Sequence, residues 1–337
     1  MLCIFCLKEK PSSEEHVFPD AIGGALIINR VCESCNNNLG TQVDAPLVDH
    51  PLVILARSQF GIVGKRGHIP DAFSKVFGIG TLSTDPQQRV FVSMPPESGK
   101  TEVKILYKRT VTTLGDGTQK IQVVVDSQDI HKIGTILQRE RSRAGMQPLG
   151  KNDLEAEVDR IVGRCQGTIE RPEVLYNFAI DLVAYKRGIV KIAYELAWYW
   201  LGDRFLEDPG AAKLRAAISQ PVSASEETDS HDVHGTTMLG GDSGPFSQLW
   251  KDTPNVHIGL AMRHNGSAIT VAIRIFSAIS GVINVSNDAS RYPEFGSPDK
   301  AGTFIEIDGK SGAVRESTLA DEMARLCGRG VTVAAEM

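Results

Sequence analysis

The chain has 337 residues, 42% of them apolar and 23% charged, with a formal net charge of −5. That length is enough for about two or three soluble domains, and no uncharged apolar stretch reaches the roughly 18 residues that a membrane-spanning helix needs. The negative balance also excludes a protein held to nucleic acid over its whole surface, so any phosphate contact has to be local.

The N-terminal stretch carries the strongest signal. Cys3/Cys6 and Cys32/Cys35 are two C-x2-C pairs separated by 25 residues, a spacing that lets two short knuckles converge on one tetrahedral zinc ion. Spacing alone leaves open whether such a frame is a purely structural zinc finger. Between the pairs, Glu14-Glu15-His16-Val17-Phe18-Pro19, then Gly23-Gly24 and Ala25-Leu26-Ile27-Ile28, predict a β-hairpin with a loose glycine turn. After Cys32, Glu33-Ser34-Cys35-Asn36-Asn37-Asn38-Leu39 predicts a short helix ending near Gly40. A unit this small cannot hold itself together by apolar burial, so the metal has to contribute much of its folding energy.

C-x2-C, then E-H-V-F-P with a following G-G, then N-x2-C-x2-C-N, resembles an HNH endonuclease of the ββα-metal, treble-clef type over about residues 1–50. The resemblance implies that Cys3, Cys6, Cys32 and Cys35 hold a structural Zn²⁺ and that His16 is the general base that activates water. It implies that Glu15 and the side-chain oxygen of Asn36 hold a catalytic Mg²⁺ or Mn²⁺, and that Asn29 is a loop-bracing amide that orients the histidine. Many members have Asp where this chain has Glu15, and Asn29 stands closer to Cys32 than is common.

The chemistry agrees. Phosphodiester cleavage needs a nucleophilic water in line with the leaving oxygen, and positive charge beside the oxygens on which negative charge develops. A neutral imidazole can take the water proton, and a hard cation on oxygen ligands can supply the charge. Adjacent residues of a regular strand point to opposite faces, so a kink or strand end is required for Glu15 and His16 to address one phosphate. Thiolates select zinc and oxygen ligands select magnesium, so fold and reaction depend on separate metals. On residue types alone, Glu15 and His16 also fit an ordinary solvated acidic cluster with a surface histidine.

Charge is uneven along the chain. Residues 1–50 carry 3 basic and 7 acidic side chains, residues 51–150 carry 14 and 8, and residues 151–337 carry 19 and 26. Phosphate contact is therefore expected from the middle segment, with Arg57, Lys65, Arg66, Lys132, Arg139, Arg141 and Arg143 as candidates. Within it, residues 76–79 and 90–92 predict short strands. Residues 103–107 and 121–125 predict strands flanking the Asp116-Gly117 turn of a hairpin. Helices are predicted over 129–143 and 152–165.

A long helix is expected from about Glu173 to Leu201, ending in Trp198-Tyr199-Trp200, an aromatic group that fits a core or a dimer contact better than a base-stacking platform. Residues 221–245 form a polar break. Its His231-Asp232-Val233-His234 and Gly241-Asp242-Ser243-Gly244-Pro245 lack the partners that a metal or protease site demands. Strands are predicted at 256–260, within 269–285 and at 303–307, forming a sheet packed on the long helices. Cys165 and Cys327 are left over and fit buried free thiols.

The expected fold is α+β: an N-terminal zinc-bound ββα-metal unit at 1–50, a mixed α/β segment contacting DNA at 51–150, and a helical plus β-sheet C-terminal region at 151–337 that regulates, targets or dimerises. Double-stranded DNA is the expected partner. The layout also allows a homodimer, and a regulatory protein or small ligand at the C-terminal region. The metal-ligand Cys3 lies too close to Met1 for a signal peptide, which points to the cytoplasm. A zinc-dependent nucleic-acid-binding module without catalysis is the rival reading. An HNH enzyme with a long extension resembles a bacterial defence or mobile-element nuclease.

Overall fold

The computed structural model describes residues 1–64, 67–94, 100–163, 172–176, 182–219, 235–239, 253–264, 267–295 and 302–328. They fall into two compact units, Met1–Ala72 with Ile180–Met337, and Phe73–Ala179. This grouping differs from a three-part division at residues 50 and 150. The reason is physical: the N-terminal hairpin buries its apolar side on elements that the chain supplies only after residue 180.

The first unit opens with β1 (Ser12–His16) paired antiparallel to β2 (Ile27–Cys32), with a bulge between Ser13 and Glu15. Cys32, in an extended conformation, caps α1 (Glu33–Leu39). One π-helical turn, Gly40–Asp44, then carries the helix into α2 (Ala45–Val48). Pro51 starts α3 (Pro51–Phe60), where the His50 ring accepts the Leu52 amide, and left-handed Gly61 stops it. Hairpin and helix follow the expected order.

The second unit begins at Phe73, near the start of α4 (Ala72–Phe77), a helix that takes Val76 and Phe77 of the strand predicted at 76–79. Its four-stranded sheet has the order β5-β4-β3-β8, from β3 (Ile79–Leu82), β4 (Asp85–Ser93), β5 (Glu102–Ile105) and β8 (Val174–Leu175). The Asp116-Gly117 hairpin forms, but its arms are β6 (Lys108–Thr113) and β7 (Gln119–Val124). Residues 103–105 instead pair with β4. Helices α5 (Ile133–Arg143) and α6 (Lys151–Val162) lie where periodicity placed them.

The chain returns to the first unit through α7 (Leu182–Leu201), 20 residues and so about 30 Å long, followed by α8 (Pro209–Ser219). A six-stranded antiparallel sheet follows, in the order β14-β13-β10-β11-β12-β9. It comprises β9 (Gly235–Leu239), β10 (Val256–His264), β11 (Ala268–Ile275), β12 (Ile279–Ser286), β13 (Gly302–Asp308) and β14 (Val314–Thr318). Alternation along β10 sends Val256, Ile258 and Leu260 with Phe304 toward Leu319 and Met323 of α9 (Leu319–Gly328). The other face packs on α7.

One continuous core joins these parts. It runs from Cys3, Ile4, Val17, Phe18 and Ile22 through Tyr185, Ile189, Tyr194 and Leu196 of α7 to Ile273, Ile275, Phe276 and Ile305 of the sheet. Two glycines make the approach close. A Cβ at Gly188 would stand 2.9 Å from the Leu47 Cβ, and Gly23, at φ 86°, lies so near Gly309 that a Cβ would meet its carbonyl oxygen at 1.9 Å. The glycine turn that marks the hairpin in the sequence is therefore also its docking point on the sheet. The apolar side of α7 is spent on this core.

Among the described residues no helix is long and apolar enough to cross a membrane. Lys65, Arg66, Cys165, both polar motifs at 231–234 and 241–245, and the side chain of Cys327 lie outside the described residues.

Candidate functional site

Two local devices build the metal frame. In the first knuckle the Leu7 amide donates to the Cys3 carbonyl at 2.9 Å, closing the loop with Leu7 at φ 53°. In the second, the Cys32 amide donates to Cys3 Sγ at 3.4 Å. Together they bring the ligand atoms of Cys3, Cys6, Cys32 and Cys35 within 4.8 Å of one another. Four sulfurs on one tetrahedral zinc at about 2.3 Å stand about 3.8 Å apart, and Cys6 Sγ and Cys32 Sγ are separated by 3.8 Å. The donor set fits zinc.

Burial pushes the Cys35 and Cys6 thiols up. At Cys32 burial is outweighed by the Ser34 hydroxyl and the Cys35 amide, which bring the thiol down to about 6.

His16 is the last residue of β1, half-buried, and its ring makes no hydrogen bond among the described residues. Asn36, directly after the last cysteine, uses its amide Nδ2 to donate to Ser13 Oγ at 3.1 Å and to the Glu14 carbonyl at 2.6 Å. It thereby ties α1 to the strand that ends in His16. Asn29, expected to brace this loop, is exposed on β2 beside the bulge and makes no side-chain hydrogen bond among the described residues, whereas Asn36 bonds β1.

Glu15 turns the other way. Its side chain is 2% exposed and lies 2.5 Å from Nζ of Lys191 on α7. The same ammonium donates to the His16 carbonyl at 2.8 Å, and stands 3.3 Å from Asp44 Oδ1 and 3.3 Å from Glu195 Oε2. Burial raises the carboxyls of Glu15, Asp44 and, furthest, Glu195 above their ordinary range. Burial also works against the Lys191 charge, but Asp44, Glu195 and Glu15 together hold it firmly protonated. Asp44 further feels the His16 ring. Lys191, Asp44 and Glu195 were missed from the sequence, although a Lys and a Glu four residues apart in the otherwise apolar run 189–201 were a visible signal.

Residues 3–52 match the HNH endonuclease family model. The match covers the four cysteines, Glu15, His16, Asn29, Asn36 and Asp44, and ends well before Lys191. No curated protein and no solved structure matches the chain. The HNH segment is thus an N-terminal nuclease-family domain within a mixed α and β protein, with four clustered cysteines able to bind zinc.

The basic residues expected to meet phosphate are divided between the units. Arg57 of the HNH-containing unit is buried in α3, and burial lowers its pKa. In the other unit Lys132 pairs with Asp129 at 2.7 Å, Arg143 with Glu140 at 2.8 Å, and Arg141 donates to the Gln147 carbonyl. Arg139 lies 4.9 Å over the Tyr107 ring. Of the aromatic group, Trp198 stacks under Arg30 at 5.3 Å and donates to Asp203, which ties α7 to β2.

Proposed function

We propose that the HNH segment is the catalytic centre of an endonuclease that hydrolyses DNA phosphodiester bonds, with zinc as a frame and His16 as general base. The observation that supports it most is an imidazole with no hydrogen bond among the described residues at the end of a strand that Asn36 ties to the helix following the thiol cluster. A neutral His16 ring takes the proton of the attacking water as the water oxygen bonds phosphorus and the ester oxygen departs. Each centre cuts one strand, so a single copy nicks and double-strand cleavage takes two copies in opposite orientation.

Family members use metal ions, and a hard cation would stabilise charge on the departing oxygen. Of the expected pair, the Glu15 carboxylate does not fit Mg²⁺ or Mn²⁺ here, being buried against Lys191 away from the waters such an ion keeps, whereas Asn36 bonds β1 through its amide nitrogen and would still offer its side-chain oxygen. The same neutralised Glu15 favours a second reading, a zinc module that grips nucleic acid without cutting it.

Supercoiled plasmid incubated with the full chain, with and without Mg²⁺ or Mn²⁺, separates them. Nicked circles that vanish in His16→Ala while zinc content stays constant are the expected result. Retarded but intact plasmid supports the binding module. Nicking only after a partner or cell extract is added supports a nuclease gated through the C-terminal region.

A further inference from the structure

We infer that Lys191 is a positioning residue of the nuclease centre, supplied by α7 from outside the matched segment. The inference rests on the endonuclease reading and names a part of the same site. Its basis is the double grip of one ammonium on adjacent residues of β1: the His16 carbonyl at 2.8 Å and the Glu15 carboxylate at 2.5 Å. These two bonds fix the strand end whose side chain is the base.

Core packing gives no reason for the arrangement. Lys191 is fully buried in a helix whose other inward residues include Ile189, Ile192, Tyr194 and Leu196, and an apolar side chain there would avoid the desolvation of an ammonium and three carboxylates. Glu195 is 0% exposed; its Oε1 has no hydrogen-bond partner among the described residues, and its Oε2, like Asp44 Oδ1, meets only the Lys191 ammonium, at 3.3 Å. Asp44 is delivered to the cluster by the π-helical turn Gly40–Asp44, a backbone irregularity that recurs at functional sites. Three carboxyls buried around one ammonium, with few other bonds, mark a place beside His16 where stability has been given up for geometry. The ammonium also offsets carboxylates that would otherwise repel a phosphodiester from this end of β1.

The test uses the full, zinc-loaded chain. Lys191→Met is compared with Lys191→Met/Glu195→Gln, which also removes a carboxylate left without its counter-ion. Zinc content, plasmid affinity, nicking kinetics and amide hydrogen exchange along β1 are measured for both. In the double variant the expected result is wild-type zinc content and KM with kcat lowered roughly tenfold or more. Exchange at the Val17 amide, which bonds the Leu26 carbonyl, should be about tenfold faster while α1 is unchanged.

A kcat and a Val17 exchange rate both within about twofold of wild type overturn the inference, as does a double variant that does not fold, which makes Lys191 a stability residue only. If the wild-type chain binds zinc yet never nicks plasmid, the endonuclease reading fails instead, and the exchange measurement still decides whether Lys191 pins β1.

Discussion

Leu7 holds φ 53° at the knuckle, a conformation that costs a β-carbon-bearing residue about 1 kcal/mol, and its side chain is exposed, so it has little packing to lose. Leu7→Gly should raise the stability of the zinc-loaded chain by about 0.5 kcal/mol, read by denaturant unfolding. Asn36 gives the opposite case. Asn36→Ala removes two donors to β1 and should cost about 1 kcal/mol and slow nicking. Asn36→Asp should not rescue it, because a carboxylate cannot donate to the Glu14 carbonyl; a wild-type nicking rate in that variant counts against the brace. The four cysteines were legible as one cluster because ligand spacing is a local property. Which of two amides braces the strand was not, since Asn29 and Asn36 differ only in how the bulge and α1 orient them.

At the scale of elements, the hairpin is fastened to the sheet at the Gly23–Gly309 approach and at His257 of β10. The His257 Nε2–H donates to the Ile22 carbonyl at 2.8 Å, and the ring lies against Phe18 and Phe276. Burial depresses its pKa to about 4 from an ordinary 6.5. Folding therefore gains from this neutral ring in full above about pH 6.5, and the gain, on the order of 3 kcal/mol, is lost as pH falls through 4. His257→Gln should flatten the fall in stability between pH 6.5 and 4, relative to its own value at pH 7.5; equal slopes for both proteins would remove His257 as the cause. Gly23→Ala should cost about 2 kcal/mol or more, from its left-handed backbone and the contact with Gly309, and thermal unfolding reads it. The sequence revealed these strands by alternation and turn residues. It did not reveal that Lys108–Thr113 takes the hairpin arm expected of residues 103–107, because both stretches suit a strand and only pairing with β4 separates them.

For the whole molecule, the HNH segment shares one core with α7 and the C-terminal sheet, so it is no detachable module. A fragment of residues 1–150 lacks Tyr185, Ile189, Tyr194 and Phe276 and should neither give a dispersed amide NMR spectrum with zinc nor nick plasmid. Zinc chelation of the full chain should lower the melting temperature of the six-stranded sheet along with that of the hairpin, in one transition by circular dichroism; two separated transitions would show independent folding. The sequence could mark Lys191 as a charge in an apolar run, but not that its partner is Glu15, which only the fold sets 2.5 Å away.

Their separation along the chain also sets a clock. Lys191 leaves the ribosome 175 residues after His16, a delay of roughly 10 to 35 s at usual elongation rates. Throughout that interval the nascent knuckles exist without the helix that completes their surroundings, so a cutting activity that needs it stays latent until synthesis has passed α7.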